Sequence, residues 1–197
     1  ISFSGTDGLT DFGDWIDNFD TDHQTTNGIT THEGFYEYQD KVATCLNDHV
    51  ALLDSWGIDI DYVVGHSLGG AAATVYSQTH TPGGELITFG APKTRVGSSC
   101  TVGGQRFAHE SDPVASNALG VMNSFNHDVS TAHKAYTEEV RGDCRWDTWF
   151  GCVRWYWHED KTTVAQGCSA ASGGCNFLVD CVYYFATVHL AYREYLD

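Results

Sequence analysis

Hydrophobic positions along the chain follow two periods, and the order of these periods predicts an α/β domain. The segment 36–56 has apolar residues at helical spacing and is followed by Gly57, which favours a helix end. The segment IDIDYVVG (58–65) alternates before an apolar end, as strands do. GGAAATVYSQTH (69–80) predicts a second helix, and ELITFG (85–90) and QRFAHE (105–110) predict two further strands. Strand, helix and strand in this order indicate a central, mostly parallel sheet flanked by helices.

The two ends of the chain and one internal region complete this pattern. The opening ISFSGT is typical of a strand end, and VHLAYREYL (188–196) is helix-like. The region 141–181 has no clear period and is predicted to form a disulfide-pinned excursion. At 197 residues the chain fits a single domain, 1–197, large enough to bury a sizeable core.

The run DGLTDFGDWIDNFD (7–20) has the pattern of a short amphipathic surface helix. Leu9, Phe12, Ile16 and Phe19 recur at helical spacing among five Asp residues. Such a helix would place an apolar stripe on one face and carboxylates on the other.

Composition and charge narrow the class of partner. The formal net charge is −16 at pH 7, and a field of that sign repels phosphate backbones, so nucleic acid is not an expected partner. No stretch approaches the roughly 20 apolar residues of a transmembrane helix. The chain opens without an initiator Met or a signal peptide. We therefore expect an N-terminal segment that was removed by processing or is missing from this chain.

Seven cysteines indicate a secreted protein with disulfides, because no pair has the C-x-x-C spacing of a zinc or redox site. We expect Cys144 to pair with Cys152, because these two cysteines bracket a short aromatic loop. A second bridge is expected among Cys168, Cys175 and Cys181, and Cys45 is expected to stay unpaired. Spacing alone does not determine the pairing.

The sequence Gly65-His66-Ser67-Leu68-Gly69 matches G-x-S-x-G between a predicted strand and a predicted helix. This turn presents a serine in a strained backbone conformation at the N-terminus of the helix, where negative charge is stabilised. The sequence therefore predicts that Ser67 is a nucleophile and that the N–H of Leu68 is one oxyanion donor.

A nucleophilic serine requires a histidine base and an orienting acid, in the chain order Ser, acid, His for this fold class. Asp112 follows a predicted strand at a loop opened by Pro113, and Asp128 is its rival. The histidines after Asp112 are His127, His133, His158 and His189. Only His189 immediately precedes a helix-like C-terminal pattern, and chain order alone leaves the choice open.

These residues resemble the class 3 lipase family, which includes small secreted fungal triacylglycerol lipases. The resemblance rests on SFSGT (2–6), HEGF (32–35), VVGHSLGGAAA (63–73), FGAPKTRVG (89–97), HESDPV (109–114) and VHLAY (188–192). It implies an α/β-hydrolase fold with Ser67 as nucleophile, Asp112 as acid and His189 as base. It further implies that Thr6 supplies a backbone N–H and a hydroxyl to the oxyanion hole.

The resemblance also gives a role to the segment 7–20. Trp15 stands where similar lipases carry a lid tryptophan, so 7–20 is the predicted lid, with Leu9, Phe12, Trp15, Ile16 and Phe19 as its apolar residues. An apolar lid implies action at a lipid–water interface. The implied substrate is triacylglycerol, with phospholipase or galactolipase A1 activity, or feruloyl-type esterase activity, as the alternative. A lipase-like binding protein without turnover is the non-enzymatic alternative, and no metal or organic cofactor is implied.

The sequence departs from the family pattern in four places. Ser4 replaces the Arg that usually precedes the Gly-Thr pair, and FGAPKTRVG carries two extra residues relative to G-x-P-R-V-G. The interval from Asp112 to His189 is expanded by the Trp- and Cys-rich segment 144–181. The N-terminal helix and first strands of the family fold are missing, so another segment or chain would be needed to cover the sheet edge.

Overall fold

The computed structural model describes residues 1–5, 22–97, 101–109, 112–115, 117, 122, 124–140 and 156–166, with the backbone alone for 132–140 and 156–166. Several predicted features lie outside the described residues. They are Thr6, the lid segment 7–20, His189, the C-terminal helix, and the cysteines at 100, 144, 152, 168, 175 and 181.

Ten strands and two helices make up the described part of the chain. In chain order they are β1 (Ser2–Phe3), β2 (His23–Thr26), β3 (Ile29–His32), α1 (Glu33–Ser55), β4 (Tyr62–His66), α2 (Leu68–His80), β5 (Glu85–Phe89), β6 (Arg95–Val96), β7 (Val102–His109), β8 (Phe125–Asn126), β9 (Val129–Val140) and β10 (Tyr156–Gln166). Neither of these helices is both long and apolar enough to cross a membrane.

The main sheet has six strands in the order β1-β4-β5-β7-β9-β10. Its neighbours run parallel from β1 to β9, and only β10 is antiparallel to its partner. The predicted α/β architecture with a mostly parallel sheet is therefore confirmed. Because the strands are parallel, the loops after β4, β5 and β7 all emerge at one edge of the sheet, which we call the C-terminal edge.

Sequence and structure differ at three element boundaries. The strand predicted from residue 58 begins at Tyr62, and Ile58 is 48% exposed ahead of it. The helix predicted over 36–56 starts earlier, at Glu33. The region predicted as an excursion, 141–181, includes β10, which pairs with β9 over most of its length. That part of the region belongs to the main sheet.

A second sheet, in the order β2-β3-β6-β8, was not predicted from the sequence. Its hairpin of β2 and β3 turns at Asn27 and Gly28, which have φ values of 53° and 78°. Positive φ at both central residues is the type I′ geometry that Asn-Gly favours. The dipeptide between two Thr-rich segments was the signal for this hairpin.

The core lies between the main sheet and the two helices. Helix α2 is buried continuously from Gly69 to Tyr76, which explains its run of small residues. Helix α1 buries a stripe at helical spacing that includes Phe35, Gln39 and Ala43. One cluster of buried apolar side chains joins β1, the helices and the central strands: Phe3, Ala43, Val63, Ala72, Ala73, Tyr76, Leu86 and Val129.

Candidate active site

Ser67 lies in the sharp turn between β4 and α2, at the C-terminal edge of the main sheet. Its backbone has φ 54° and ψ −127°, a conformation that non-glycine residues adopt only when the surroundings enforce it. The Ser67 N–H donates to the carbonyl of Phe89 at 2.9 Å, and its carbonyl accepts from the N–H of Ala71 at 3.1 Å. The strained turn predicted from the sequence is present, and Ser67 is 6% exposed.

Glycines allow the backbone to come this close around Ser67. A Cβ on Gly65 would overlap the backbone of Gly69 and lie 2.7 Å from the nitrogen of Gly70. A Cβ on Gly5, in the loop after β1, would lie 2.6 Å from the His66 carbonyl oxygen and 3.3 Å from the Ser67 Cβ. The turn therefore packs against backbone atoms that only glycine allows to approach, at Gly65 and at Gly5.

Leu68 is the first residue of α2. Amides of the first helical turn have no intrahelical acceptor and point toward the helix N-terminus, where the helix dipole adds positive potential. This position suits an N–H that stabilises a developing oxyanion beside Ser67.

Asp112 follows the C-terminal end of β7, two strands from β4 in the sheet order. Its side chain is completely buried. The Oδ1 atom accepts hydrogen bonds from the N–H groups of Val114 at 2.8 Å and Ala115 at 3.3 Å. Ser67 and Asp112 therefore lie at the same edge of the sheet, with the carboxylate held in a fixed orientation by the backbone of its own loop.

Asp128, the rival acid, lies at the other end of the parallel strands. It directly precedes β9, and its carbonyl accepts from the N–H of Val102, the first residue of β7. Its carboxylate forms an ion pair with Arg95 at 3.2 Å and accepts from the N–H and hydroxyl of Thr101, both at 2.9 Å. Gln78 also donates to it. This network ties β6, β7 and α2 together and accounts for Asp128 as a structural residue.

His127 is fully enclosed and contacts the loop that carries the acid. Its Nε2 lies 3.0 Å from the Ala115 carbonyl, to which it donates in the neutral tautomer that is protonated there. Burial, followed by the positive charges of Arg106 and Lys93, holds the pKa of His127 well below its usual value. A general base works best with a pKa near the operating pH, so the lowered pKa and the contact with Ala115 do not favour His127 in that role.

Of the remaining candidate bases, His133 and His158 are described by their backbone alone. The backbone of His133 lies within β9, paired with Phe107 of β7, and that of His158 lies within β10. Both positions are inside strands, whereas Ser67 and Asp112 follow strand ends. His189 lies outside the described residues.

Two features of the site were missed by sequence reasoning. His127 was considered only as a base, and its contact with Ala115 depends on a fold that brings residues 12 positions apart together. The close approach of Gly5 to Ser67 was also missed, although the Gly-Thr pair in SFSGT was its signal.

The strand order, the turn after β4 and the loop with Asp112 after β7 have the arrangement of an α/β-hydrolase fold. The family model for class 3 lipases matches residues 1–132. The chain therefore belongs to the class 3 lipase family, as the resemblance implied.

Solved fungal lipases share this fold. The Lip2 lipase of Yarrowia lipolytica is 16% identical, with 90% of this chain and 65% of the lipase covered at a TM-score of 0.58. The mono- and diacylglycerol lipase of Aspergillus oryzae is 20% identical, with 86% and 64% covered at 0.56. The triacylglyceride lipase of Rhizomucor miehei is 18% identical, with 66% and 54% covered at 0.50.

The chain thus spans between 54% and 65% of the length of these three lipases. A comparison with curated protein sequences gave no match.

Proposed function

We propose that this protein is a serine carboxylic ester hydrolase with triacylglycerol as its leading substrate. The observation that carries this proposal is the backbone of Ser67, strained at φ 54° between β4 and the start of α2. Natural proteins retain such strain where it positions a reacting group. Membership of the class 3 lipase family supports ester hydrolysis as the reaction.

The proposed mechanism uses Ser67, His189 and Asp112. His189 removes the hydroxyl proton of Ser67 as the oxygen attacks the ester carbonyl, and then delivers that proton to the leaving alcohol. Water, deprotonated by the same imidazole, attacks the acyl carbonyl; the bond to Ser67 Oγ breaks, the imidazole returns the proton to that oxygen, and the carboxylic acid leaves. Asp112 orients the imidazole and stabilises its protonated form, and its buried, backbone-held carboxylate is consistent with that role.

The oxyanion that forms in each step is proposed to bind the N–H of Leu68 and the N–H and hydroxyl of Thr6. The segment 7–20 is proposed as a lid whose apolar residues contact lipid when it opens. Phospholipase or galactolipase A1 activity, or feruloyl-type esterase activity, would use the same residues. Hydrolysis rates on emulsified triolein, a phospholipid, a galactolipid and a feruloyl ester decide between these substrates.

A fluorophosphonate probe tests the nucleophile. We expect the probe to label Ser67, and Ser67→Ala to abolish both labelling and p-nitrophenyl ester hydrolysis with an unchanged circular dichroism spectrum. Ser55→Ala is the matched control, because Ser55 is an exposed serine at the last position of α1. A folded Ser67→Ala variant that still turns over would overturn the assignment, and a wild type without turnover would indicate a lipase-like binding protein.

The same assay tests the base. His189→Asn is expected to lower kcat about as far as Ser67→Ala does, because triad members act as a unit. His133→Asn and His158→Asn are the controls and are expected to retain most activity. If one of them loses activity instead, the base has been assigned to the wrong histidine.

We further propose that the protein is secreted and that its later cysteines form disulfides. Cys45 is the one cysteine among the described residues, and its thiol is exposed and unbridged within them. Mass spectrometry of non-reduced peptides decides whether Cys144 is bridged to Cys152.

A further inference from the structure

The loop after β1 lies directly against the nucleophile turn. Gly69 lies two residues after Ser67. A Cβ on Gly69 would lie 2.5 Å from the Ser4 carbonyl oxygen and closer still to the Phe3 carbonyl oxygen. On the other side of the turn, Gly5 approaches the Ser67 Cβ. The carbonyls of Phe3 and Ser4 therefore face Gly69, and Gly5 lies next to Ser67.

Backbone pairing fixes this segment only up to its strand. The Ile1 nitrogen donates to the Tyr62 carbonyl at 2.8 Å, and the Ile1 carbonyl accepts from the Val64 N–H at 2.9 Å. The last paired residue of β1 is Phe3, opposite Gly65. Ser4 and Gly5 follow the strand, so their orientation depends on contacts with other elements.

One such contact comes from helix α1. The Tyr38 hydroxyl donates to the Ser4 carbonyl at 3.0 Å, and it lies 3.5 Å from the Ser4 Oγ. The Tyr38 ring packs against the buried cluster that contains Phe3. The ring is thus held by the core, and its hydroxyl holds the carbonyl that precedes Gly5.

We infer that Tyr38 is a positioning residue for the oxyanion side of the active site. By fixing the Ser4 carbonyl, its hydroxyl fixes the plane of the Ser4–Gly5 peptide and the path of the chain beside Ser67. Oxyanion donors stabilise a transition state only if they are oriented before the reaction, so loosening this peptide would weaken catalysis more than substrate binding. This inference rests on the proposed function of Ser67.

Tyr38→Phe removes the hydroxyl and keeps the ring in the core. With a soluble p-nitrophenyl ester, we expect kcat to fall about tenfold with KM within about twofold. The fall should be smaller than the roughly 10²–10³ measured when an oxyanion donor itself is removed, because the backbone donors remain. The rate constant for fluorophosphonate labelling of Ser67 should fall in parallel, and it reports on folded enzyme only.

Tyr76→Phe is the matched control. The Tyr76 hydroxyl donates to the Asn47 Oδ1 at 2.8 Å, and its ring packs against Phe3 at a centroid distance of 5.4 Å. This variant also loses one hydrogen bond from a tyrosine in the same cluster, but it leaves the Ser4 carbonyl untouched. We expect its Tm to fall with kcat within about twofold of the wild type.

The outcomes separate the two proposals. Unchanged kcat in Tyr38→Phe, or an equal fall in Tyr76→Phe, overturns the positioning role while leaving Ser67 as nucleophile. A wild type that neither labels at Ser67 nor hydrolyses esters overturns both. A fall in kcat confined to Tyr38→Phe, with KM preserved, supports the inference.

Discussion

The carbonyl oxygens of Phe3 and Ser4 face the first turn of α2 with no side chain between them. At Gly69 any Cβ would meet these two backbone oxygens, which cannot rotate away as a side chain could. The second Gly of G-x-S-x-G is thus required by the approach of β1 to the helix, and the first by the approach of Gly65 to Gly69 itself. The two glycines of the motif are therefore explained by backbone packing, whatever the chemistry of the serine between them.

Gly69→Ala is expected to lower the free energy of unfolding by about 1–3 kcal/mol, the usual range for overpacking a tight site. The sign is informative, because Ala in place of a helical Gly otherwise stabilises by up to about 1 kcal/mol. Activity should fall too, since β1 must shift away from Ser67. Gly103→Ala is the control, because a Cβ there meets nothing within 4 Å. Urea denaturation curves would measure both, and equal stability of the two variants would contradict the packing argument.

Among the helices and strands, the sequence predicts best those whose residue pattern follows directly from how they are buried. Helix α2 was predicted because its burial on all sides requires small residues, and α1 because one face is buried. Strand β5 was predicted to within a residue, since its apolar run is short and bounded by Gly84 and Gly90.

Other elements depend on tertiary contacts that the pattern does not show. Residues Ile58 and Ile60 alternate as in a strand, but β1 reaches β4 only from Val64 onward, and β5 pairs with it only from Tyr62. Strand β9 pairs with β7 on one side and with β10 on the other, so the register of both β9 and β10 depends on distant strands rather than on a local apolar run. The motifs placed Ser67 and Asp112 after strand ends, where the structure has them, and their catalytic roles stay predictions; the contact of His127 with Ala115 requires the folded loop.

We expect the stability of the fold to depend on pH through His127, which is buried against the loop with Asp112. Its pKa in the folded protein is well below the value of about 6.5 expected in the unfolded chain. Below pH 6.5 the unfolded chain therefore binds a proton that the folded protein excludes. The stability contributed by neutral His127 is complete above pH 6.5 and is lost progressively as the pH falls toward the folded pKa.

We expect His127→Gln, which keeps an N–H but does not titrate, to flatten the dependence of unfolding free energy on pH between 7 and 5. One proton accounts for up to about 1.4 kcal/mol per pH unit. His49→Gln, at an exposed position in α1, is the control and should leave the slope close to that of the wild type. A slope unchanged by His127→Gln, measured by urea denaturation at each pH, would show that other groups dominate.

For the whole molecule, the architecture is established by the shared fold and by the family membership rather than by sequence identity to individual lipases. Identities of 16–20% to the solved lipases support the architecture, while the family model covers the turn with Ser67 and the loop with Asp112. Substrate preference is a property of surfaces and of the whole charge distribution. It is therefore tested on intact protein rather than read from the motif.

The formal net charge of −16 acts on the molecule as a whole when it approaches a lipid surface. Repulsion should lower the rate of encounter with anionic interfaces by roughly tenfold or more at low salt. We expect triolein emulsions containing phosphatidylglycerol to be hydrolysed more slowly than emulsions containing phosphatidylcholine. The difference should shrink as salt rises, because the Debye length falls from about 10 Å at 0.1 M to about 3 Å at 1 M. A neutral, soluble p-nitrophenyl ester serves as the control, with a rate that changes little with salt. Equal rates on the two emulsions at low salt would show that net charge does not govern access to the substrate.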